Sequence, residues 1–517
     1  MTKLNNTLLF SLSLFVSLGI RAQDSLSVAE EARSRYLDAT QLWHTTNNAA
    51  ALGVDSAENC GWAAIGAQRR QGDYLRVQEG TFRSNVNFET ERYQRVGSLL
   101  HVYGRFAFNM NHTKQRAWAD QWRPYAGNPF LSGSSVRGSY DSQLFELTGA
   151  VGTRRLGPWR VGLRLDYTAG DLSRLRDPRS RAQLMQYVLT PSVTHSLGRH
   201  TLGLSAHYDR RKEKIPNMTT VQTDANLMYY EMTGLEAVKG SKGGYGGFMR
   251  EYVNHDFQAR LSYGFKSVRY NQLTTLGVGR ANERIYETNM RQPGRFFTYD
   301  YLFASEHRLT HGHLMHSLSA RFNARQAYAD EHIQQLQIVR DSQTGYDTQS
   351  WETLFTFRKR YQQTDVMLRA DYRLHFLEGE RARHYVGLGL LYNDLTQKHL
   401  LPLSRIDNRS LELSLQGGVS LWKKRLWLDM ELDWHRSLEY KMNLADPTTE
   451  YAKQVLLPDS PYYSADYGRC QLRLTWTDRL CLGKRPIPYY IKASVDYLRA
   501  QSHMNLTLLG LTMGVRY

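Results

Sequence analysis

Residues 505–517 read NLTLLGLTMGVRY, with Leu509, Leu511, Met513, Val515 and Tyr517 at alternate positions and an aromatic ring as the last side chain. Successive side chains of a β-strand point to opposite faces, so this spacing builds one wholly apolar face. Gly510, Thr512, Gly514 and Arg516 occupy the other. A strand of this kind borders lipid on one side and water on the other.

The same period of two recurs upstream. Val161, Leu163, Leu165 and Tyr167 alternate with Arg160, Gly162, Arg164 and Asp166. Val366, Leu368, Ala370 and Tyr372 alternate with Met367, Arg369, Asp371 and Arg373, and Leu428, Met430, Leu432 and Trp434 with Asp429, Glu431, Asp433 and His435. Soluble sandwich strands average five or six residues, whereas these runs reach about ten, the length that crosses a tilted bilayer path. Short turns near 155–158, 197–199, 310–313, 378–383 and 422–425 alternate with long polar connections near 111–142, 170–182, 211–254, 395–408 and 437–466. The stretches 313–340 and 349–376 then become long strands projecting beyond the membrane. The expected fold is all-β: a transmembrane antiparallel barrel of about 18 strands, or 14 or 16 if residues 61–93 are divided differently.

Composition agrees once the faces are separated. The chain has 517 residues, 12% aromatic, including 33 tyrosines and 10 tryptophans. Its mean hydropathy is nevertheless −0.55, which excludes a bundle of apolar membrane helices. Interleaving an apolar with a polar face on every strand produces that mean. Residues 1–23, MTKLNNTLLFSLSLFVSLGIRAQ, combine a basic start, a short apolar segment and Ala22-Gln23, and read as a secretory signal peptide. The formal charge of +17 becomes +15 without it. Cys60, Cys470 and Cys481 are too few and too scattered for a disulfide framework, although Cys470 and Cys481 flank a candidate turn and could pair.

Residues 24–60 form a separate N-terminal piece, helical in composition over SLSVAEEARSRYLDATQLW and able to act as a hatch in the mouth of a barrel spanning 61–517. Within it, Asn48-Ala49-Ala50-Ala51-Leu52-Gly53 resembles the NPAGL-type element of the FadL-like transporters, with Ala49 where proline is usual. More broadly, YLRVQEG at 74–80, YDSQLFEL at 140–147 and RLDYTAGDLSRLRDPRSR at 164–181 resemble a Bacteroidota outer-membrane β-barrel family of unknown function. That resemblance implies a Gram-negative outer membrane and brings no activity or catalytic residue with it. The terminal strand closed by Tyr517 resembles the signal read by the barrel assembly machinery, an expected partner during biogenesis.

Enzymatic parts are hard to assemble from these residues. His195-Ser196 and His316-Ser317 are neighbours on strands, so each pair faces opposite sides and cannot form a nucleophile–base hydrogen bond. His307, His311, His313 and His316 gather around a turn without an obvious carboxylate or thiol, and read as a polar turn rather than a metal site. KGSKGGYGGF at 239–248 lacks the GK[ST] of a phosphate loop. No catalytic, metal or cofactor role is therefore assigned, and an exported barrel rarely meets nucleic acid.

Two sets of charged residues remain. Arg164, Asp166, Arg369, Asp371, Arg373, Asp429, Glu431, Asp433 and Arg473 are expected to line the lumen. Asp429, Glu431 and Asp433 share a face and need countercharge, which Arg469 and Arg473 on the next strand can supply if the register permits. Arg174, Arg176, Arg179, Arg181, Arg210, Arg211, Lys212 and Lys214 are expected in outer loops beside lipopolysaccharide phosphates. The expected function is a passive channel or transporter for a small solute. The rival is a non-conducting surface receptor, adhesin or docking component.

Overall fold

The computed structural model describes residues 31–55, 59–216, 218, 220, 227–242, 248–340, 343, 347–482 and 485–517. The expected signal peptide at 1–23 and residues 243–247 of the Gly-rich tract lie outside them. The strands are β1 (Cys60–Gly72), β2 (Phe82–Val96), β3 (Leu100–Arg116), β4 (Ser132–Gly133), β5 (Gly138–Thr153), β6 (Trp159–Arg174) and β7 (Arg181–Leu197). They continue with β8 (His200–Ile215), β9 (Met228–Gly234), β10 (Ala237–Lys242), β11 (Arg250–Lys266), β12 (Tyr270–Glu287), β13 (Gly294–His311) and β14 (Leu314–Arg340). The last seven are β15 (Asp347–Leu377), β16 (Ala382–His399), β17 (Ser404–Leu421), β18 (Leu426–Asn443), β19 (Tyr467–Leu482), β20 (Arg485–Ala500) and β21 (Asn505–Arg516). Two helices, α1 (Glu31–Thr40) and α2 (Leu457–Ser464), stand apart from the sheet.

Among the described residues, eighteen strands form one closed antiparallel sheet, and β4, β9 and β10 form a separate three-stranded one. The uncertain stretch 61–93 resolves into β1 and β2, which confirms the count of eighteen. Closure joins the two ends of the chain. β1 pairs with β21 from Trp62↔Arg516 to Gly72↔Leu506, and Gly61 and Tyr517 exchange backbone hydrogen bonds of 2.7 and 2.9 Å. No strand of the barrel is left with an open edge along its full length, as a lipid environment requires.

The apolar faces point outward. In register across six neighbouring strands lie Leu204, Leu261, Leu276, Phe303, Phe322 and Leu368, all exposed. A ring of exposed leucine and phenylalanine would cost a soluble protein heavily, whereas in a bilayer it meets acyl chains. The molecule is a transmembrane β-barrel. The start of β1 and the end of β21 lie at the end with short turns, such as 97–99, 198–199, 312–313 and 422–425. The opposite end carries the long connections, and there β14 and β15, with 27 and 31 residues, outrun their neighbours.

Two expected loops are corrected, the first because β6 and β7 leave only 175–180 of the expected 170–182. Residues 395–408 are almost entirely strand, because β16 and β17 leave only 400–403 between them. Their polar composition arises because the outward face of Leu388, Leu390 and Leu413 continues past the apolar belt as Asp394, Thr396, Asp407 and Arg409, where Thr396 donates to Asp407 at 2.9 Å and Arg409 pairs with Asp394 at 3.1 Å. The possible Cys470–Cys481 pair is also corrected, since Cys470 is a free thiol and both residues lie on β19.

Candidate functional site: a lumen closed from both ends

The first closure is built by residues 31–55, which cross the lumen at its short-turn end. In α1, Arg35 lies four residues after Glu31, one helical turn away, and donates to it at 2.8 Å. The same guanidinium donates both terminal nitrogens to Asp429 of β18 at 2.6 and 2.7 Å and lies 4.6 Å over the Trp427 ring. Glu31 in turn pairs with Arg516, near the end of β21. Burial alone would raise the Glu31 carboxyl, but Arg516 and Arg35 outweigh it and hold it down at about 2. A bidentate, largely desolvated pair of this kind is geometrically specific. A second pair on the same helix, Arg33–Glu380, involves a mostly exposed carboxylate.

Beyond α1 the segment is fitted to the wall by size. Arg308 and Asn271 donate to the carbonyls of Ala39 and Thr40 at 2.7 and 3.1 Å. Trp43 lies against Gly203 and Gly264, where a Cβ would meet its ring at 2.9 Å. The Ala49–Ala51 turn packs onto β5 and β6 at Gly152 and Gly162, positions where any Cβ would collide with the backbone of Ala49 or Ala50. Ala50 N–H donates to Ser192 at 3.1 Å, and His44 stacks on Tyr93 at 4.6 Å. Asp55, accepting from Trp43 N–H at 2.7 Å, is pushed up to about 6 by burial. The plug therefore touches strands around most of the circumference.

The second closure is a lid of outer connections with its own aromatic core. Trp118 is fully buried against Tyr230 and Tyr451, with ring centroids at 4.4 and 5.4 Å. Gln78 ties the carbonyl of Trp118 to the Tyr451 hydroxyl at 3.0 and 3.1 Å. Phe130 fills the space over Gly294, and its carbonyl accepts from Tyr252 at 2.7 Å. Arg250, 1% exposed, bridges Glu231 of the β9–β10 hairpin and Glu287 of the wall at 2.9 and 2.8 Å. In α2, burial lifts Asp459 to about 7, although Val77 N–H donates to it at 2.8 Å.

Between plug and lid lies a chamber of about 210 Å³, walled by Arg369, Asp371, Glu412, Glu431, Asp433 and Arg469 among others. Four of the nine residues expected in the lumen, Arg369, Asp371, Glu431 and Asp433, wall it. Arg369 pairs with Asp371 at 2.7 Å, and Arg373 donates to Gln416 at 2.8 Å. The register sets Asp429, Glu431 and Asp433 opposite Arg473, Gln471 and Arg469. The partners nevertheless differ from the expected ones. Asp429 is taken by Arg35 of the plug rather than by Arg473, and Arg469 turns to Asp496 at 2.8 and 2.5 Å. Asp433 is 3% exposed and keeps one carboxylate oxygen without a hydrogen-bond partner. Arg164 and Asp166 pair at 2.7 Å away from this chamber, beside the plug, where Arg164 shares a crevice with Asn48 and Tyr103.

The basic patch is only partly where the sequence placed it. Arg174 is buried at the end of β6, donating to Tyr140 at 2.8 Å and to the Val136 carbonyl at 2.6 Å. Arg211 lies on the inner face of β8, paired with Glu283. Arg210, Lys212 and Lys214 belong to β8 rather than a loop, on its outer face. Arg176, Arg179 and Arg181 are exposed, the last two paired with Asp177 and Asp171 at 3.0 and 2.6 Å. The misplacement follows from charged residues extending a strand beyond the apolar belt, where alternation of hydrophobicity ends before the backbone ladder does.

The residues that close the lumen were legible only in part. The spacing of Glu31 and Arg35 signals a helical pair, but nothing local links Arg35 to Asp429. Ser196 accepts from Arg160 at 2.8 Å and His316 bonds Tyr372 at 2.8 Å, so the two His–Ser neighbours engage other partners. Among the described residues no group of three His, Cys, Asp or Glu is placed to hold a metal ion.

Residues 49–517 match a family described as of unknown function, DUF6850. No curated protein matches the chain. Solved structures similar to it include a mutant ferric enterobactin receptor from Pseudomonas aeruginosa, at 9% identity and TM-score 0.41, covering 89% of this chain and 81% of that one. The outer membrane transporter YddB from Escherichia coli follows at 10% identity and TM-score 0.41, covering 88% and 80%. The FrpB iron transporter from Neisseria meningitidis matches at 9% identity and TM-score 0.39, covering 91% and 83%. At this distance the likeness concerns barrel architecture and says nothing about a ligand.

Proposed function

The chain belongs to the DUF6850 family of unknown function, and we propose that it is an outer-membrane transporter of Gram-negative bacteria, closed at rest and opened by movement of its plug. The observation that carries this reading is a charged chamber on the lumen wall, placed between the Arg35–Asp429 contact of the plug and the lid. Residues that serve only to stabilise a barrel need no such space. Asp433, with an unpartnered oxygen, and Glu431 beside it give the chamber sites for a hydrogen-bonding solute. The plug is held largely by polar contacts and small-residue packing, which break and re-form at lower cost than a repacked apolar core. A passive, permanently open channel fits less well, because the plug segment occupies the short-turn end.

The test is solute uptake into proteoliposomes. Arg35→Ala is expected to raise uptake of small solutes at least tenfold over the intact chain. Adding Glu431→Gln and Asp433→Asn is expected to erase discrimination between cationic and neutral solutes of equal size. Uptake equal to that of protein-free liposomes in every variant would sink the proposal.

A surface receptor is the second reading, and the β14–β15 hairpin favours it. Beyond its neighbours it stands as a two-stranded ribbon with Ile338, Val339, Leu354 and Phe355 exposed. Such a ribbon gains from a partner. Silence in flux assays combined with hairpin-dependent partner capture would decide for it.

A further inference from the structure

We propose that the outer face of the barrel across β8, β11, β12 and β13 carries a binding site for the phosphate groups of a phosphorylated lipid, lipopolysaccharide, in the outer leaflet. The argument starts from register. Arg210, Lys212 and Lys214 alternate along the outward face of β8, continuing the face that deeper in the membrane presents Leu202 and Leu204. On β12 the same face passes from Leu276 and Val278 to Arg280 and Arg284. The ladder sets Lys212 opposite Val253, Val253 opposite Arg284, and Arg284 directly opposite Arg295. Six cations thus gather over four neighbouring strands where the apolar belt stops.

Countercharge within the chain is incomplete. Glu251 takes Lys212 at 2.9 Å and Asp330 takes Arg295 at 2.7 Å. Arg210, Lys214, Arg280 and Arg284 have no ion-pair partner among the described residues. Two arginines facing each other across a ladder repel, and four uncompensated cations on one face cost stability unless an anion from outside is present. The neighbourhood also suits a lipid. Tyr208 stacks near Phe257 at 4.9 Å, and Arg280 and Arg295 lie over Tyr299 and Phe297 at 5.8 and 5.4 Å. Aromatic rings at this level belong to the interface, and arginine forks match phosphate oxygens bidentately. A soluble phosphate would leave the adjoining apolar belt unused, whereas a phosphorylated glycolipid places acyl chains on the belt and phosphates on the cations.

The test uses the full chain in detergent micelles, titrated with bis-phosphorylated lipid A, with the same lipid after phosphate removal, and with inorganic phosphate alone. The expected result is affinity for the phosphorylated lipid at least tenfold above both others. Replacing Arg210, Lys214, Arg280 and Arg284 together by Glu should abolish that preference, while Lys replacements of the three arginines should largely keep it. Arg199→Glu with Arg269→Glu, at the short-turn end of the same barrel face, should leave it unchanged. Folding of each variant is confirmed by heat-modifiable migration in gels. Equal binding of the phosphate-free lipid, capture of inorganic phosphate with matching affinity, or an unaltered preference in the folded charge-reversed variant would each overturn the assignment.

Discussion

The plug and the lid close the same lumen by different physical means. The plug has small residues, Ala49 to Ala51, set into a wall scalloped at Gly152 and Gly162, and its indole, Trp43, rests on two further glycines. Its strongest fixed points are ionic, Arg35–Asp429 and Glu31–Arg516. The lid instead buries Trp118, Phe130 and Tyr230 in an aromatic core with hydroxyls bonded inside it. A closure built on dispersion and apolar burial is rigid, because every part must leave together. One fastened by a few charged contacts and small-residue packing can release and re-form them at lower cost. The difference assigns the moving part to the plug.

The largest effect should come from breaking the lid. Trp118→Ala removes a fully buried indole and should destabilise the lid by about 4 kcal/mol. Hydrogen exchange would then accelerate across β4, β9 and β10 while α1 stays protected. Arg35→Ala leaves Asp429 and Glu31 without their shared partner, and about 3 kcal/mol of plug docking should be lost. Protection of α1 should fall while the lid is unaffected, the mirror image of the first result. If both closures loosened in either variant, the two would be one cooperative unit and the contrast would fail.

These two mutants also mark what the sequence could reveal. The barrel was readable because alternation is a local property, visible in any window of ten residues such as 426–435. The partner of Asp429 was not, because it comes from Arg35, far away in the chain and outside the ladder. Countercharge from Arg473 was a sound expectation by register, and the register does place it opposite Asp429. A plug that competes for the same carboxylate has no signature in strand periodicity. The wall glycines posed the same difficulty, since Gly152 and Gly162 read as neutral small residues until something packs against them.

Smaller effects sharpen the comparison. Gly162→Ala should push the Ala49–Ala51 turn off the wall at a cost of about 2 kcal/mol, read as faster exchange at Ala50, with the lid unchanged. Acidity should act on the lid in one direction and on the two ends of the plug in opposite ones. Glu31 is held at about 2, below its ordinary 4.5, so its contribution is complete above 4.5 and is lost as pH falls toward 2. Asp459 is raised to about 7 from 3.8, so its contribution is complete below 3.8 and is lost as pH rises through 7. Each slope is limited to about 1.4 kcal/mol per pH unit for one proton. Exchange measured at pH 3, 5 and 8 should find the lid loosest at the alkaline end, whereas in the plug the Glu31 contacts loosen toward acid and the surroundings of Asp55, raised to about 6 from 3.8, loosen as pH rises through 6. Smallest of all, Glu380→Gln breaks only the exposed partner of Arg33 and should cost about 0.5 kcal/mol.

The central claim is that residues 31–55 form a reversible gate fastened by Arg35 and Asp429, and single-channel recording tests it most directly. In planar bilayers the intact chain should show rare, brief conductance steps, and Asp429→Asn should show the same step size with open times longer by tenfold or more. Identical open probability in the two proteins would contradict the account.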